Sequence, residues 1–382
     1  MTEILGLSSL PNELLIRISQ EPHLNTRDLL NLCITNKRLL SLTVPSYLQR
    51  YGIACDASVV DVSGYTTAAL HGLSLSTSLR ALKRLRCVLN HGSQGVRLVR
   101  ETRALARVVA ILDHADDVDI DLSGFLCPQK AVDEWTALLG ALLRDLVIGR
   151  KCSTLTVRRG GYVHASSEGG AQLWDARADE IVRMVSGMRD GPVKVPDESE
   201  KGTLRRLTIF GAPLLAQPPF MPFMDAALTS ATLTHLTFDT LSLADPAWAP
   251  ALAGIRLPSL THLTLHACVL RFAALIRLLT THAHSLQTLD LTDTTHPYGD
   301  APAAEHVDMP VALRGLHTIM GLPSDPPVFA EHLLSDRPFS MPALAHLELV
   351  AAFGVAERQH VAPLNRILET LASAGAARRT SR

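Results

Sequence analysis

Residues 259–270, SLTHLTLHACVL, decide the fold. Leu260, Leu263 and Leu265 follow the template L-x-x-L-x-L, and Cys268 and Leu270 fill its next two marked positions. On a short strand the second and third leucines alternate with polar residues and point to the same side. One strand alone cannot bury such a pair, but stacked copies of the unit can.

The template recurs along the second half of the chain. Its first leucines are Leu204, Leu233, Leu260, Leu286, Leu313 and Leu344, which are 29, 27, 26, 27 and 31 residues apart. Weaker copies precede them at Ala115, Val118 and Ile120 and at Cys152, Leu155 and Val157. This stretch, about residues 105–355, resembles the leucine-rich repeats. The resemblance implies an α/β solenoid with parallel strands on its concave side and helices on its convex side.

The hydrophobic pattern divides the remaining sequence, apart from the N-terminal segment, into predicted domains. Residues 272–283, FAALIRLLTTHA, predict a return helix with Leu275, Leu278 and Leu279 facing inward. Residues 52–103 predict a helical connector and N-terminal cap, with helices over 78–89 and 101–112. The predicted domains are therefore this connector, a solenoid over 104–355 with an insertion at 158–202, and a capping helix with a tail over 356–382.

Ahead of the body, residues 10–51 predict three short helices. Pro11 suits a first helical position, and Pro22 ends the first helix. Thr26 predicts the N-cap of the second helix. The third is predicted from about residue 36 to Val44, where Pro45 interrupts it. Three short helices leave apolar surface uncovered, so we expect this segment to dock on the body or on a partner.

LPNELL followed by DLLNLCITNKRLL resembles the F-box, over residues 8–51. Where many F-boxes carry a tryptophan, this chain has Leu39 and Leu40. The order of motif and repeats is similar to the F-box proteins with leucine-rich repeats found in fungi. The resemblance implies docking on a Skp-type adaptor, and through it on a cullin, with a protein substrate on the repeats. The implied adaptor-binding residues are Leu10, Pro11, Leu14, Leu15, Ile18, Leu29, Leu32 and Leu39.

Two other interpretations stay open. The N-terminal helices can be an ordinary cap on the repeats, which makes the protein a scaffold or inhibitor-type binding protein outside ubiquitin transfer. An enzyme is the third hypothesis, but the chain has no phosphate-binding loop, no hydrolase elbow and no H-E-x-x-H. We therefore predict a non-catalytic protein that needs no cofactor and no metal.

The composition of the chain limits the classes of partner and the cellular compartments that we expect. The 36 basic and 37 acidic residues give a formal net charge of -1, so nothing predicts nucleic acid or a membrane surface as a partner. Six scattered cysteines form no C-x-x-C and predict reduced thiols. No signal peptide and no long apolar run are visible. We expect a soluble intracellular protein of the cytoplasm, the nucleus or both.

Two clusters raise the question of metals. His262 and His266 share one strand face, but no third ligand is placed, so a solvated or hydrogen-bonded pair is favoured. Asp117, Asp119 and Asp121 resemble the opening of a calcium loop, which fails because later positions carry Leu122 and Pro128. An acidic outer face on that strand is the better account.

The repeats make a positive prediction of their own. Residues that flank the inward pairs point to the concave side, where solenoids usually bind their partners. The predicted substrate-binding residues are Arg206, Phe210, His235, Asp239, His262, His266, Thr288 and Asp290.

Overall fold

A computed structural model describes residues 7–35, 37–54, 57–63, 66–76, 79–89, 95–122, 129–149, 152–160, 203–295, 315–316, 318–320 and 346–348. It is an α/β structure of parallel strands and helices. The chain forms two units. Unit 1 comprises 1–204 and 217–226, and unit 2 comprises 205–216 and 227–382. The predicted insertion at 158–202, apart from its first three residues, and the predicted capping helix within 356–382 lie outside the described residues.

Unit 1 begins with a short 3-10 helix, Leu7–Ser9, and three α-helices: α1 (Asn12–Ser19), α2 (Thr26–Thr35) and α3 (Lys37–Gln49). The predicted N-cap is shifted by one residue, because Asn25 Oδ1 accepts the Asp28 N–H at 2.9 Å. The predicted end of α3 is wrong. Pro45 lies inside that helix and is exposed, so the carbonyl group left without its N–H partner lies on the solvent side.

Strands and helices then alternate in unit 1. The strands β1 (Val59–Val62), β2 (Ala81–Val88), β3 (His114–Asp121) and β4 (Thr154–Arg158) pair in parallel, each with the next. The helices between them are α4 (Thr66–Leu75), α5 (Gly95–Ile111) and α6 (Gln129–Ile148). The helix predicted over 101–112 is thus present as α5, which begins earlier.

The helix predicted over 78–89 is wrong, because this segment forms β2. Leu82, Leu85 and Cys87 are buried and pair in register with Ala115, Val118 and Ile120. The repeat template spaces its first two leucines by three residues, which is also a helical spacing, so the pattern alone favoured the wrong structure. Together with β1, this strand shows that residues 52–103 contain strands and are more than a helical connector.

Of the three N-terminal helices, α3 packs directly on α4. The Tyr47 hydroxyl of α3 donates to the carbonyl oxygen of Ala68 in α4 at 2.9 Å. The Tyr47 ring lies against Gly72, where an added Cβ would come within 2.5 Å of the ring carbon Cε1. A side chain at Gly72 would therefore displace a buried tyrosine.

We predict that Gly72→Ala lowers the free energy of unfolding by about 1–3 kcal/mol, because the added methyl group overpacks the contact with Tyr47. Chemical denaturation of the full chain measures the effect. In a Tyr47→Leu background the same substitution should cost much less. Equal costs in both backgrounds would contradict the contact.

Unit 2 carries the regular repeats. Its strands are β5 (Arg206–Phe210), β6 (His235–Asp239), β7 (His262–His266), β8 (Thr288–Asp290), β9 (Thr318–Met320) and β10 (His346–Glu348), and each is parallel to the next. The returning segments contain 3-10 turns at Pro213–Ala216 and Pro246–Trp248, with α8 (Ala249–Gly254) and α9 (Phe272–Thr281). A further 3-10 turn, Pro218–Phe220, belongs to unit 1, and α7 (Met221–Leu228) continues from unit 1 into unit 2.

The predicted inward pairs are confirmed on β5 to β8. Their side chains are at most 1% exposed: Leu207 and Ile209, Leu236 and Phe238, Leu263 and Leu265, Leu289 and Leu291. Helix α9 confirms the predicted return helix, with its three leucines buried. Trp248 completes the core with an edge-on contact to Phe238, at 5.9 Å between ring centroids.

Polar side chains tie the repeats of β7 and β8 to the ones before them. At the template's N/C position, Cys268 donates to the Phe238 carbonyl oxygen, and Thr294 donates to the equivalent carbonyl oxygen of Leu265. The second residue after each inward pair adopts a left-handed backbone conformation: Gly211, Thr240, Ala267 and Asp293 have φ of 55°, 55°, 48° and 56°. Only the first of these is a glycine, the residue that adopts this conformation without steric cost.

We predict that Ala267→Gly raises the free energy of unfolding by up to about 1 kcal/mol, because it relieves the left-handed strain after β7. Ala274→Gly in α9 is the matched control and should lower it by about the same amount through helix propensity. Urea denaturation of both variants decides the point. Destabilisation by both substitutions would show that Ala267 is unstrained.

Candidate functional site

The first candidate surface is the exposed side of α1. Leu15, Leu29 and Leu39 are at most 2% exposed and form the core between the three helices. They therefore stabilise the packing of these helices and are not accessible to a partner. The other five predicted adaptor-binding residues retain exposure: Pro11 and Leu14 are exposed, and Leu10, Ile18 and Leu32 are half-buried.

Pro11, Leu14 and Ile18 recur at three- and four-residue spacing and therefore share one side of α1, called here the α1 face. Leu14 is 44% exposed. Arg38 of α3 fixes the start of this helix by donating to Asn12 Oδ1 at 2.6 and 2.9 Å and to the Leu10 carbonyl oxygen at 2.7 Å. Leu7 and Ile16, which are not among the adaptor-binding residues that the F-box resemblance implies, are also exposed apolar residues.

The second candidate surface is the side of β5 to β8 opposite the buried pairs, called here the open face. All eight predicted substrate-binding residues lie on it. The strand register arranges the open face in three rows: Arg206, His235, His262 and Thr288; Thr208, Thr237, Thr264 and Asp290; Phe210, Asp239 and His266. The side chains of His346 and Glu348, which extend these rows by sequence, are not among those described.

The first row contains a pair of stacked imidazoles. The rings of His235 and His262 are 4.0 Å apart between centroids, with planes 10° apart. Each ring nitrogen Nδ1 lies 2.8 Å from the hydroxyl oxygen of the preceding threonine, Thr234 or Thr261. Each threonine hydroxyl also lies 3.0 Å from a carbonyl oxygen of the previous repeat, to which it donates its proton.

This geometry assigns the tautomer of both histidines. A threonine hydroxyl has one proton, and the carbonyl oxygen receives it, so Nδ1–H of the histidine donates to the hydroxyl oxygen. Nε2 of each ring is then free to present a lone pair on the open face. The sequence signal for this arrangement is the Thr-His dipeptide, which recurs 27 residues apart at Thr234 and Thr261. The repeat spacing alone did not point to these two threonines.

The surroundings favour neutral rings. Burial lowers the pKa of His235 most, followed by the neighbouring His262 and Arg206. Burial also lowers the pKa of His262, again with a contribution from Arg206. Both imidazoles are therefore largely uncharged at neutral pH.

His266 is in a different environment. Its Nδ1–H donates to Asp239 Oδ1 at 3.0 Å, and this hydrogen bond raises the pKa of His266 despite partial burial. Asp293 lies on the other side of the ring, with its Oδ2 3.9 Å from Nε2. His262 and His266 thus have separate hydrogen-bond partners. No group of three or more potential metal ligands occurs among the described residues.

The corresponding side of unit 1 is a set of cross-strand ion pairs. Arg84 lies 2.8 Å from Asp117, and Arg158 lies 2.9 Å from Asp119. Arg86 lies between Asp61 and Asp119, at 3.6 and 4.0 Å. The predicted acidic face of β3 is thus present at Asp117 and Asp119, with arginines on both neighbouring strands as its partners. Asp121 is 6% exposed.

No protein-family model matches this chain, and no curated protein and no solved structure matches it either. Within the part of the chain that the structure describes, no helix is both long and apolar enough to cross a membrane. The two surfaces must therefore be interpreted from their own chemistry.

We predict that Asp239→Asn lowers the pKa of His266, because the substitution removes the carboxylate that accepts the Nδ1 proton. Titration of the imidazole Hε1 signal by NMR measures it. Asp293→Asn is the matched control and should have a smaller effect, since that carboxylate lies 3.9 Å away. A larger effect of Asp293→Asn would contradict the assigned hydrogen bond. With Asp239 present, His266 stabilises the fold below pH ~6.5, and this contribution is lost as pH rises through its raised folded-state pKa.

Proposed function

We propose that this protein is the substrate-recognition subunit of a Skp–cullin–F-box type ubiquitin ligase. In this proposal the N-terminal helices are an F-box that docks on the adaptor, and the remaining chain is a leucine-rich-repeat solenoid whose concave side binds a protein substrate. The observation that carries the proposal is the α1 face, an apolar surface that the three helices leave uncovered.

The energetics of the α1 face support a docking role. Leu15, Leu29 and Leu39 fill the interior, whereas Leu14 stays 44% exposed, so nearly half of its surface is still open to a partner. Fully burying an exposed leucine side chain contributes about 1.5–3 kcal/mol, and covering the part of Leu14 that is still exposed contributes roughly half of that. An exposed leucine beside Pro11 and Ile18 is therefore suited to a partner, and Arg38 holds the helix ready for it.

The open face supplies the second half of the proposal. Its rows are polar and contain charged, imidazole and hydroxyl groups, with Phe210 as the aromatic member. Such a surface suits selective recognition of a protein segment. The mechanism is positional: tethering raises the effective concentration of a substrate lysine near the charged conjugating enzyme. In this proposal the chain acts by binding alone and takes no part in bond formation.

One observation favours the second candidate, a repeat scaffold with an N-terminal cap. Tyr47 packs on α4 through Ala68 and Gly72, so the N-terminal helices share packing with the body. Removing them would damage the fold whichever function is correct. Truncation is therefore unsuitable as a test, and point substitutions on the α1 face are required.

We predict that Leu14→Glu abolishes co-purification of the full-length chain with a Skp-type adaptor and leaves its thermal unfolding midpoint within about 2 °C of the parent. A buried charge at the adaptor contact is the physical reason. Val59→Glu is the matched control, since Val59 is 55% exposed and lies outside the three helices. This control should bind the adaptor as the parent does.

Leu15→Glu supplies the opposite control, because Leu15 is 2% exposed and its substitution should unfold the motif. If the parent chain captures no adaptor, the ubiquitin-ligase proposal fails and the scaffold remains. If Leu14→Glu binds like the parent, the α1 face is not the docking surface.

A further inference from the structure

Arg206 differs from the other arginines that project from the sheet strands. Arg84, Arg86 and Arg158 in unit 1 each face a carboxylate on a neighbouring strand. Arg206 is exposed on β5, and none of the ion pairs found among the described residues includes it. As far as the described residues show, its guanidinium therefore retains its capacity to bind an anion.

The neighbours of Arg206 are nitrogen bases. The strand register places His235 beside it and His262 beside His235, and the two imidazoles are stacked at 4.0 Å. From β8 the row is continued by Thr288, which carries no charge. The nearest carboxylates on the open face lie in other rows: Asp239 binds His266, and Asp290 accepts the backbone N–H and the hydroxyl of Thr292.

We propose that Arg206, His235 and His262 form an anion-binding row that takes up protons when an anion binds, and that its occupant is an acidic segment of a partner protein. The occupant rests on the receptor function proposed above, whereas the anion site itself does not. The shared chemistry is an oxyanion, which can be a carboxylate or a phosphorylated side chain.

The threonine bonds make this row suited to protonation. Nδ1–H of each histidine already donates to Thr234 or Thr261, so a proton added at Nε2 produces a second donor without turning the ring. The guanidinium and both Nε2–H groups can then donate to one oxyanion. Charge-assisted hydrogen bonds of this kind are the strong ones in proteins.

The free protein opposes that state. Two stacked imidazolium rings beside an arginine repel one another, and burial adds to the cost. An anion offsets the repulsion, so its affinity should rise as pH falls through the pKa of the histidines in the complex. By reciprocity, a bound anion must raise the pKa of the histidines.

The test is an NMR titration of the Hε1 signals of His235 and His262 in the full-length protein, assigned with the variants His235→Gln and His262→Gln. Sodium sulfate and sodium acetate are the probes, because they present the oxyanions of a phosphate ester and of a carboxylate. Sodium chloride at matched ionic strength is the reference. We expect one of the probes to raise both pKa values relative to the reference, with tighter probe binding at pH 5.5 than at 7.5.

Arg206→Gln should change two measured quantities, the pKa of the histidines and the affinity for the probe. Without the probe it should raise the pKa of both histidines, because the repelling guanidinium is gone. It should also weaken binding of the probe about tenfold. Arg256→Gln removes an exposed arginine outside the row and should leave both properties of His235 and His262 nearly unchanged.

A stronger response to sulfate assigns a phosphorylated segment, and a stronger response to acetate assigns aspartate or glutamate. If neither probe shifts the histidines beyond the chloride reference, or if Arg206→Gln responds as the parent does, the proposal is overturned. The measurement does not involve the adaptor or Leu14. A failure here therefore leaves the ligase proposal standing, and a failure of adaptor capture leaves the anion site standing.

Discussion

The structure of unit 2 depends on one constraint: the apolar pair on each strand can be buried only if the neighbouring strand aligns with it. Leu236 and Phe238 are covered when β6 is in register with Leu263 and Leu265 of β7. A slip by one residue would turn every apolar side chain to solvent. The bonds from Cys268 and Thr294 to carbonyl oxygens of the previous repeat fix the same alignment at the strand ends. Because the register is fixed, equivalent residues of successive repeats stand side by side.

That alignment produces the open face. His235 and His262 stack because they occupy one template position on adjacent parallel strands. The same alignment in unit 1 places Arg84 beside Asp117, and Arg158, whose register partner is Asp121, pairs diagonally with Asp119, so that face neutralises its own charge. Register alignment thus produces both faces, but the face of unit 1 pairs its own charges, whereas the open face of unit 2 keeps Arg206 and the two stacked histidines available to a partner.

The sequence predicted the parts of the fold where one physical signal was sufficient. The inward pairs of β5 to β8 and the helix over Phe272–Thr281 follow from spacing, as do the eight residues of the open face. It failed at Leu82 and Leu85, where three-residue spacing suits both a helix and the repeat template, and at Pro45, where the packing of α3 overrides a strong helix breaker. The pairing of each histidine with its preceding threonine could not be derived from spacing, because it depends on a hydroxyl shared with the previous strand's carbonyl oxygen. The separation of Leu14 from Leu15 likewise needed the packed helices.

The left-handed residue that follows each inward pair has a consequence for the lengths that each repeat can adopt. Gly211, Thr240, Ala267 and Asp293 mark the same bend in successive repeats, at intervals of 29, 27 and 26 residues. The strands keep their register across these unequal intervals, so the difference is absorbed entirely between one bend and the next strand. Insertions or deletions in those returning segments would leave the open face intact. An insertion or deletion between a strand and its bend would instead shift the residues of the open face. The bend therefore separates the region of each repeat that tolerates indels from the region that does not.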